Sequence, residues 1–263
     1  MSIPKIIHYC WFGNKKLPAQ IKEYIKTWEK YAPDYEIIRW DESSFDVTQS
    51  DYCRSAYENK LYPFVADYAR LAIIYKYGGI YLDTDVELLK PIDYFLKGEA
   101  FFGLENYNAI NTGLIFGATP KQKNIKALLE IYDSFGANLY NGTFIKKTCV
   151  KITTEYFKNI GFKEKNKYQI VDNCSIYPTS YFCPQKYGDL KPHFKDNTVT
   201  WHHYNGSWTA DNKAELMRTY RNARIGRYIK LLIGVSMYDN LHMQYKRITG
   251  HKKSIFRNTE RKQ

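Results

Sequence analysis

Four charged residues in the stretch 66–85, ADYARLAIIYKYGGIYLDTD, have the types and spacing to hold a metal ion and a diphosphate. Asp67 and Arg70 lie in a run of helical periodicity from Phe64 to Tyr77. With Asp67 at 0°, Arg70 falls at about 300°, Leu71 at about 40° and Ile74 at about 340°, so the pair shares the apolar face and points inward. Buried charges must be paired with each other or with a polar ligand. Further on, Asp83 and Asp85 flank Thr84 after the apolar run Ile80-Tyr81-Leu82. In an extended chain alternate residues share a side, which places both carboxylates on one face. Two hard oxygen ligands at that spacing can hold Mg2+ or Mn2+ against a diphosphate. Taken singly, Asp67 and Arg70 read as a structural ion pair and Asp-x-Asp as a solvated turn; in this order and spacing they read as a site.

The elements that must position these residues alternate. Lys5 to Trp11 reads as a first buried strand, Pro18 to Tyr31 as a helix with Ile21, Ile25 and Trp28 on one face, and Tyr35 to Trp40 as a second strand. Helical segments at Asp51 to Tyr57 and Phe64 to Tyr77 lead to Tyr77-Gly78-Gly79, where glycine tolerates the left-handed end of a helix. A strand through Asp85 follows, then strands at 100–104 and 112–118 and helices at Gln122 to Phe135 and Phe144 to Phe157. Residues 160–200 read as loops and short strands. Such alternation argues for an α/β sheet.

The run D-x-x-R, then a helix end, then G-G-I-Y-L-D-T-D resembles the signature of glycosyltransferase family 32, the DXD-containing sugar-transferase group related to the glucosyltransferase domains of large clostridial toxins. Flanking similarity runs from Ile3 to about Trp208. The resemblance implies a GT-A-type mixed sheet flanked by helices, a nucleotide-sugar donor, a divalent metal (Mn2+ or Mg2+) and retention of anomeric configuration. It implies Asp83 and Asp85 at the metal and diphosphate, and Asp67 and Arg70 on the donor sugar.

Four further positions gain meaning beside it. Trp11, in Tyr9-Cys10-Trp11-Phe12-Gly13, follows the first strand, where ligands of open α/β sheets bind. By position it is equally a core residue, but the related toxin domains carry W-x-G here with the Trp against uracil. Tyr81 faces the same way as the carboxylates in a regular strand, either to donate to phosphate or ribose or to pack. Asn111 precedes a strand and a glycine that permits close backbone approach; it is a turn residue by sequence, and in resembling enzymes an Asn here reaches the donor sugar. WHHYNGSW, residues 201–208, is the second cluster. Adjacent strand residues face opposite ways, so only one of His202 and His203 can meet the metal, with His202 preferred. The family carries a similar HH-x-x-x-SW ending, which implies Ser207 as a further ligand and Trp208 Nε1 as a donor to the β-phosphate. Toxin domains use a carboxylate in this shell.

At 263 residues, with a hydrophobic fraction of 44%, the chain can bury a full core. One domain over 1–210 is expected, with a basic helical extension over 211–263. The five cysteines are odd in number and lack C-x-x-C spacing, which suits a reduced, cytoplasmic compartment. The N-terminus does not read as a signal peptide. Of the net +12, residues 218–263 carry +10, from twelve Lys/Arg against two Asp/Glu. Ile225, Tyr228, Ile229 and Leu232 share a helical face opposite Arg224, Arg227 and Lys230. That suits a peripheral helix at the inner leaflet of a membrane, or a helix docked on the body. No recognised motif supports nucleic acid as partner.

The expected function is transfer of a hexose, from UDP-hexose rather than a GDP-sugar, to a saccharide acceptor. The resemblance implies capsule or O-antigen (lipopolysaccharide) assembly on a polyprenyl carrier at the cytoplasmic membrane face. The competing readings are a toxin-like protein O-glycosyltransferase, a non-catalytic membrane or nucleic-acid adaptor, and a nucleotidyltransferase. The last is disfavoured by the lack of a phosphate-cradling glycine loop.

Overall fold

A computed structural model of the chain describes residues 2–137, 148–185, 189, 191–204, 225, 228–229, 232–234, 237–238 and 241. The chain divides into two compact units, Met1–Lys186 with Leu190–Trp208, and Tyr187–Asp189 with Thr209–Gln263.

The first unit is a mixed sheet flanked by helices, the α/β architecture expected. In chain order its elements are β1 (Ile6–Cys10), α1 (Ala19–Tyr31), β2 (Glu36–Trp40), α2 (Asp51–Glu58), α3 (Tyr62–Tyr77), β3 (Gly79–Leu82), β4 (Val86–Leu88), β5 (Ala100–Gly103) and β6 (Ile115–Ala118). Then come α4 (Lys123–Asp133), α5 (Cys149–Asn159), β7 (Gln169–Val171), β8 (Cys174–Tyr177), the single turn α6 (Thr179–Phe182) and β9 (Thr200–His202). Seven strands form one sheet in the order β2-β1-β3-β6-β5-β8-β7. β1 runs parallel to β2 and β3, β6 antiparallel to β3 and β5, and β5 parallel to β8. β4 leaves this sheet and pairs antiparallel with β9, with Val86 opposite His202.

Helix α3 carries Pro63 in its first turn, where the missing N–H would have no helical partner. It buries Leu71 and Ile74 with Asp67 and Arg70 on the face deduced from periodicity, and Val65, Ala69 and Ile73 on the opposite face as well. The following glycine pair is required twice over. Gly78 and Gly79 have φ of +68° and +95°, and a Cβ on Gly79 would lie 2.7 Å from the Ile6 carbonyl oxygen. Here the chain reverses and enters β3 beside β1 with no room for a side chain. His8 locks the same end: its Nε2 donates to the Gly78 carbonyl at 3.0 Å while its Nδ1 accepts from Trp40 Nε1 at 3.1 Å. Burial pushes the His8 imidazole down to about 4, with the Gly78 bond acting in the opposite direction.

Three expected boundaries shift. The strand expected through Asp85 ends at Leu82, and Asp83–Asp85 form a turn closed by Val86 N–H donating to the Asp83 carbonyl at 3.1 Å. The strand expected from 112 begins at Ile115, because Asn111 and Gly113 turn the chain before it. The helix expected from 144 is described from Cys149, after Thr148, whose hydroxyl accepts from Lys151 N–H; residues 144–147 lie outside the described residues. All five cysteines are free thiols. In the second unit the described residues Ile225, Tyr228, Ile229 and Leu232 are helical and exposed. Among the described residues no helix is long and apolar enough to cross a membrane.

Candidate functional site

The site is built where the C-terminal end of β3 meets α3, the turn before β6, and the β4–β9 ribbon. Arg70 is its hub. The guanidinium reaches Asp67 Oδ1 and Asp83 Oδ1, each at 3.2 Å, and lies 4.8 Å over the Tyr81 ring. Its Nε donates to the Ala66 carbonyl at 3.0 Å. Asp67 and Arg70 are 8% and 4% exposed, so this pair is shielded from the solvent that makes surface ion pairs weak. Burial raises the Asp67 carboxyl, and Arg70 partly offsets it. Burial likewise pushes Asp83 up to about 6, helped by Asp85 and opposed by Arg70.

Asp83, Asp85 and His202 offer ligand atoms that lie within 4.8 Å of one another. The β4–β9 register brings the histidine there, since Val86 opposite His202 sets His203 N–H against the Asp85 carbonyl at 3.0 Å. His202 Nε2 sits 3.1 Å from Asp85 Oδ1. Burial works against a charged imidazole at His202, but Asp85, Asp83 and Glu105 together outweigh it and the pKa is raised. Two carboxylates and one imidazole are a donor set that suits Mn2+ or Mg2+. The wall beside them is kept open by Gly113, where a Cβ would stand 2.7 Å from Arg70 Nη1 and 2.9 Å from Asp83 Oδ2. These residues fit a divalent cation.

Of the two histidines offered as metal ligands, His203 is turned away from the cluster. Its ring stacks on Tyr24 at 4.4 Å and meets Trp201 at 3.8 Å, and its Nε2 bonds Glu87 Oε2 at 2.9 Å. It faces away from Asp83 because neighbouring strand residues alternate. The common face of Asp83 and Asp85 is corrected in cause, as a turn and not a pleat brings them together. Tyr81 is 1% exposed and its hydroxyl donates to Asp83 Oδ1 at 2.9 Å, so it holds the carboxylate. Trp11 is half-buried after β1, its Nε1 donating to the Lys15 carbonyl at 2.7 Å. Asn111 is 5% exposed beside Gly113. Ser207 and Trp208 lie outside the described residues.

Three residues of the site carried no signal in the sequence. Cys149, at the first turn of α5, places its thiol 3.9 Å from Arg70 Nη1 and 3.8 Å from Asn111 Oδ1. Glu105 accepts from Asn111 and Tyr204, and the Tyr204 ring lies 4.2 Å from that of His202. Only the shared neighbourhood in space reveals them.

Residues 18–102 match the family described as the glycosyltransferase sugar-binding region containing the DXD motif. That segment includes Asp67, Arg70, Asp83 and Asp85, the core of the cluster. The chain is 39% identical over 163 residues to inositol phosphoceramide mannosyltransferase 3 of Schizosaccharomyces pombe, covering 60% of this chain and 44% of that protein. It therefore spans less than half the length of that relative. An uncharacterized glycosyltransferase of Acanthamoeba polyphaga mimivirus is 26% identical over 219 residues, 73% of this chain and 86% of the relative. Among solved structures, a glycosyltransferase involved in glycosylation of the major capsid of PBCV-1 aligns over 82% of this chain and 98% of its own, at 18% identity and a TM-score of 0.43.

Proposed function

We propose that this chain is a retaining glycosyltransferase that moves a hexose from a nucleotide diphosphate sugar to a saccharide acceptor. The observation that carries the reading is the convergence of Asp83, Asp85 and His202 in one cluster beside the buried Asp67–Arg70 pair. In this reading those three residues hold a divalent cation, Mn2+ or Mg2+, which supplies charge neutralisation on the leaving nucleotide. The remaining steps belong to side chains. Arg70, fixed between Asp67 and Asp83, presents a charge that cannot swing away. Asp67 and Asn111 take hydroxyls of the donor sugar, Trp11 stacks on the base, and Tyr81 orients the Asp83 carboxylate. Groups held in place before substrate arrives need no reorganisation at the moment of reaction. With retention, the acceptor hydroxyl approaches from the leaving-group face and no side-chain base is required. Ser207 and Trp208 complete the diphosphate shell in this reading.

The family-32 resemblance supports UDP-hexose as donor and a capsule or O-antigen saccharide on a polyprenyl carrier as acceptor. The name of the fission-yeast relative, an inositol phosphoceramide mannosyltransferase, supports a lipid-linked acceptor and mannose among the hexoses. An acceptor in a cytoplasmic membrane face suits the tail, where Tyr228 and Leu232 are 61% and 84% exposed within a segment that carries net +10. Apolar residues on a basic helix bind anionic lipid surfaces.

The test is hydrolysis across a panel of UDP- and GDP-linked hexoses with Mn2+, repeated after chelation. Turnover of one donor, abolished by EDTA and restored by Mn2+, is expected. No turnover of any donor, together with no metal-dependent thermal shift by UDP or GDP, would overturn the reading. If salt-sensitive binding to lipid vesicles or nucleic acid appeared alone, the chain would be an adaptor.

A further inference from the structure

Glu105 has no place in the reading above, yet it joins its two halves. It follows β5 at the start of the turn Asn106–Asn108, and its backbone is tied on both sides: its N–H donates to the Ala109 carbonyl at 2.8 Å, and Asn108 N–H donates to its carbonyl at 3.1 Å. The side chain is thereby aimed into the site from a closed loop. One carboxylate oxygen, Oε2, accepts from Asn111 Nδ2 at 2.9 Å and from the Tyr204 hydroxyl at 3.2 Å.

The first bond decides which way the Asn111 amide points. Asn111 Oδ1 accepts from Gly113 N–H at 2.6 Å, and Nδ2 donates to Glu105. The flipped amide would set its NH2 against the Gly113 N–H and its oxygen against the Glu105 carboxylate. Both contacts would be repulsive, so the network admits one orientation. The second bond, with Cys183 Sγ 3.0 Å from the same hydroxyl, secures Tyr204, which holds a left-handed φ of +50° uncommon for a tyrosine. With its hydroxyl held, its ring stays against that of His202. One side chain thus sets the amide facing the sugar and the ring backing the histidine of the cation cluster.

We infer that Glu105 is a positioning residue for donor-sugar binding, acting through Asn111 and Tyr204 by where its oxygen lies and not by its charge. The inference rests on the glycosyltransferase reading. It also explains a carboxylate kept in the site although burial raises its pKa: two donors meet one oxygen there.

Three substitutions separate position from charge. Glu105→Asp keeps the charge but withdraws the oxygen by one methylene; Glu105→Gln removes the charge but leaves an acceptor in place; Glu105→Ala removes both. The wild type is assayed first with the donor that the panel identifies; if no donor is turned over, the glycosyltransferase reading fails and the inference falls with it. If one is turned over, kcat/KM is expected to fall about 10- to 100-fold in Glu105→Ala and Glu105→Asp. Glu105→Gln restores most of that loss. In Glu105→Gln, which leaves the acceptor for Tyr204 in place, the metal-dependent thermal shift by the free nucleotide stays near that of the wild type. Adding Glu105→Ala to Asn111→Ala should cost less than about threefold more, because residues acting as one unit are not additive. A Gln variant as impaired as Ala beside an active Asp variant would mean that charge is what matters. That pattern, or fully additive losses, or wild-type rates in all three, overturns the inference. Glu105→Gln is nearly isosteric, so the Asp and Gln pair still separates position from charge even if Glu105→Ala fails to fold.

Discussion

The two ends of β3 solve opposite problems with the same few residues of chain. At its start, Gly78, Gly79 and His8 form a neutral, closed arrangement: glycines with no Cβ, and an imidazole whose two nitrogens are satisfied by a carbonyl and an indole. At its end, Asp83, Asp85, Arg70 and His202 gather ionisable groups that are only partly satisfied by one another. His202 Nδ1 is buried without a hydrogen-bond partner there. The contrast is that β3 is entered through neutral, close-packed groups and left through charged ones. Gly78, Gly79 and His8 fix how the chain enters β3, while the turn at Asp83–Asp85 is set by β4 leaving the sheet to pair with β9.

Breaking the charged end should hurt activity most. Asp85→Asn is expected to lower transfer on the order of a thousandfold, since it removes a ligand and the partner of His202. Its melting temperature should hold or rise, because the substitution removes a like charge beside Asp83. A variant with unimpaired, still metal-dependent transfer would remove Asp85 from the site. Breaking the neutral end should hurt stability instead. Gly79→Ala is expected to cost roughly 3 kcal/mol in urea unfolding, from a Cβ forced against the Ile6 carbonyl at positive φ. Loss of activity without loss of stability in that variant would sink the division between the two ends.

The neutral end also has a pH signature. The folded pKa of His8, about 4, lies below that of a free histidine, so the unfolded chain binds the extra proton first as the pH falls. The stability His8 contributes is present above about pH 6.5 and is lost progressively down to about pH 4, amounting to about 3 kcal/mol. His8→Gln has no proton to gain, and its unfolding free energy should be flatter across that window. The gentlest probe is the histidine pair. His202→Ala should cut transfer roughly 10- to 100-fold, by the loss of one ligand, whereas His203→Ala should change it by less than about threefold. Equal losses would mean that the β4–β9 register does not select between them.

Much of this arrangement is legible in the sequence, for physical reasons. Helical periodicity alone turns Asp67 and Arg70 inward, and both are buried. Alternation along a strand alone requires that His202 and His203 part ways. Local rules stop where contacts become nonlocal. Nothing in LDTD says that the strand ends at Leu82, because the turn depends on β4 leaving the sheet to meet β9. Nor could spacing reveal Glu105 or Tyr204, which are 99 residues apart and share no periodic pattern. The place of His203 is settled only by Tyr24, on α1, which covers its ring.

The β4–β9 ribbon has a consequence for the order of events during synthesis. Glu87 on β4 and His203, just past β9, bond across it from 116 positions apart, so the ribbon can close only after nearly all of the first unit has left the ribosome. Pairings of such long range form late and slowly. A nascent chain already holding α3, β3 and both aspartates would carry the carboxylates without their histidine. The cation cluster of the proposed function is therefore incomplete until the β4–β9 ribbon closes.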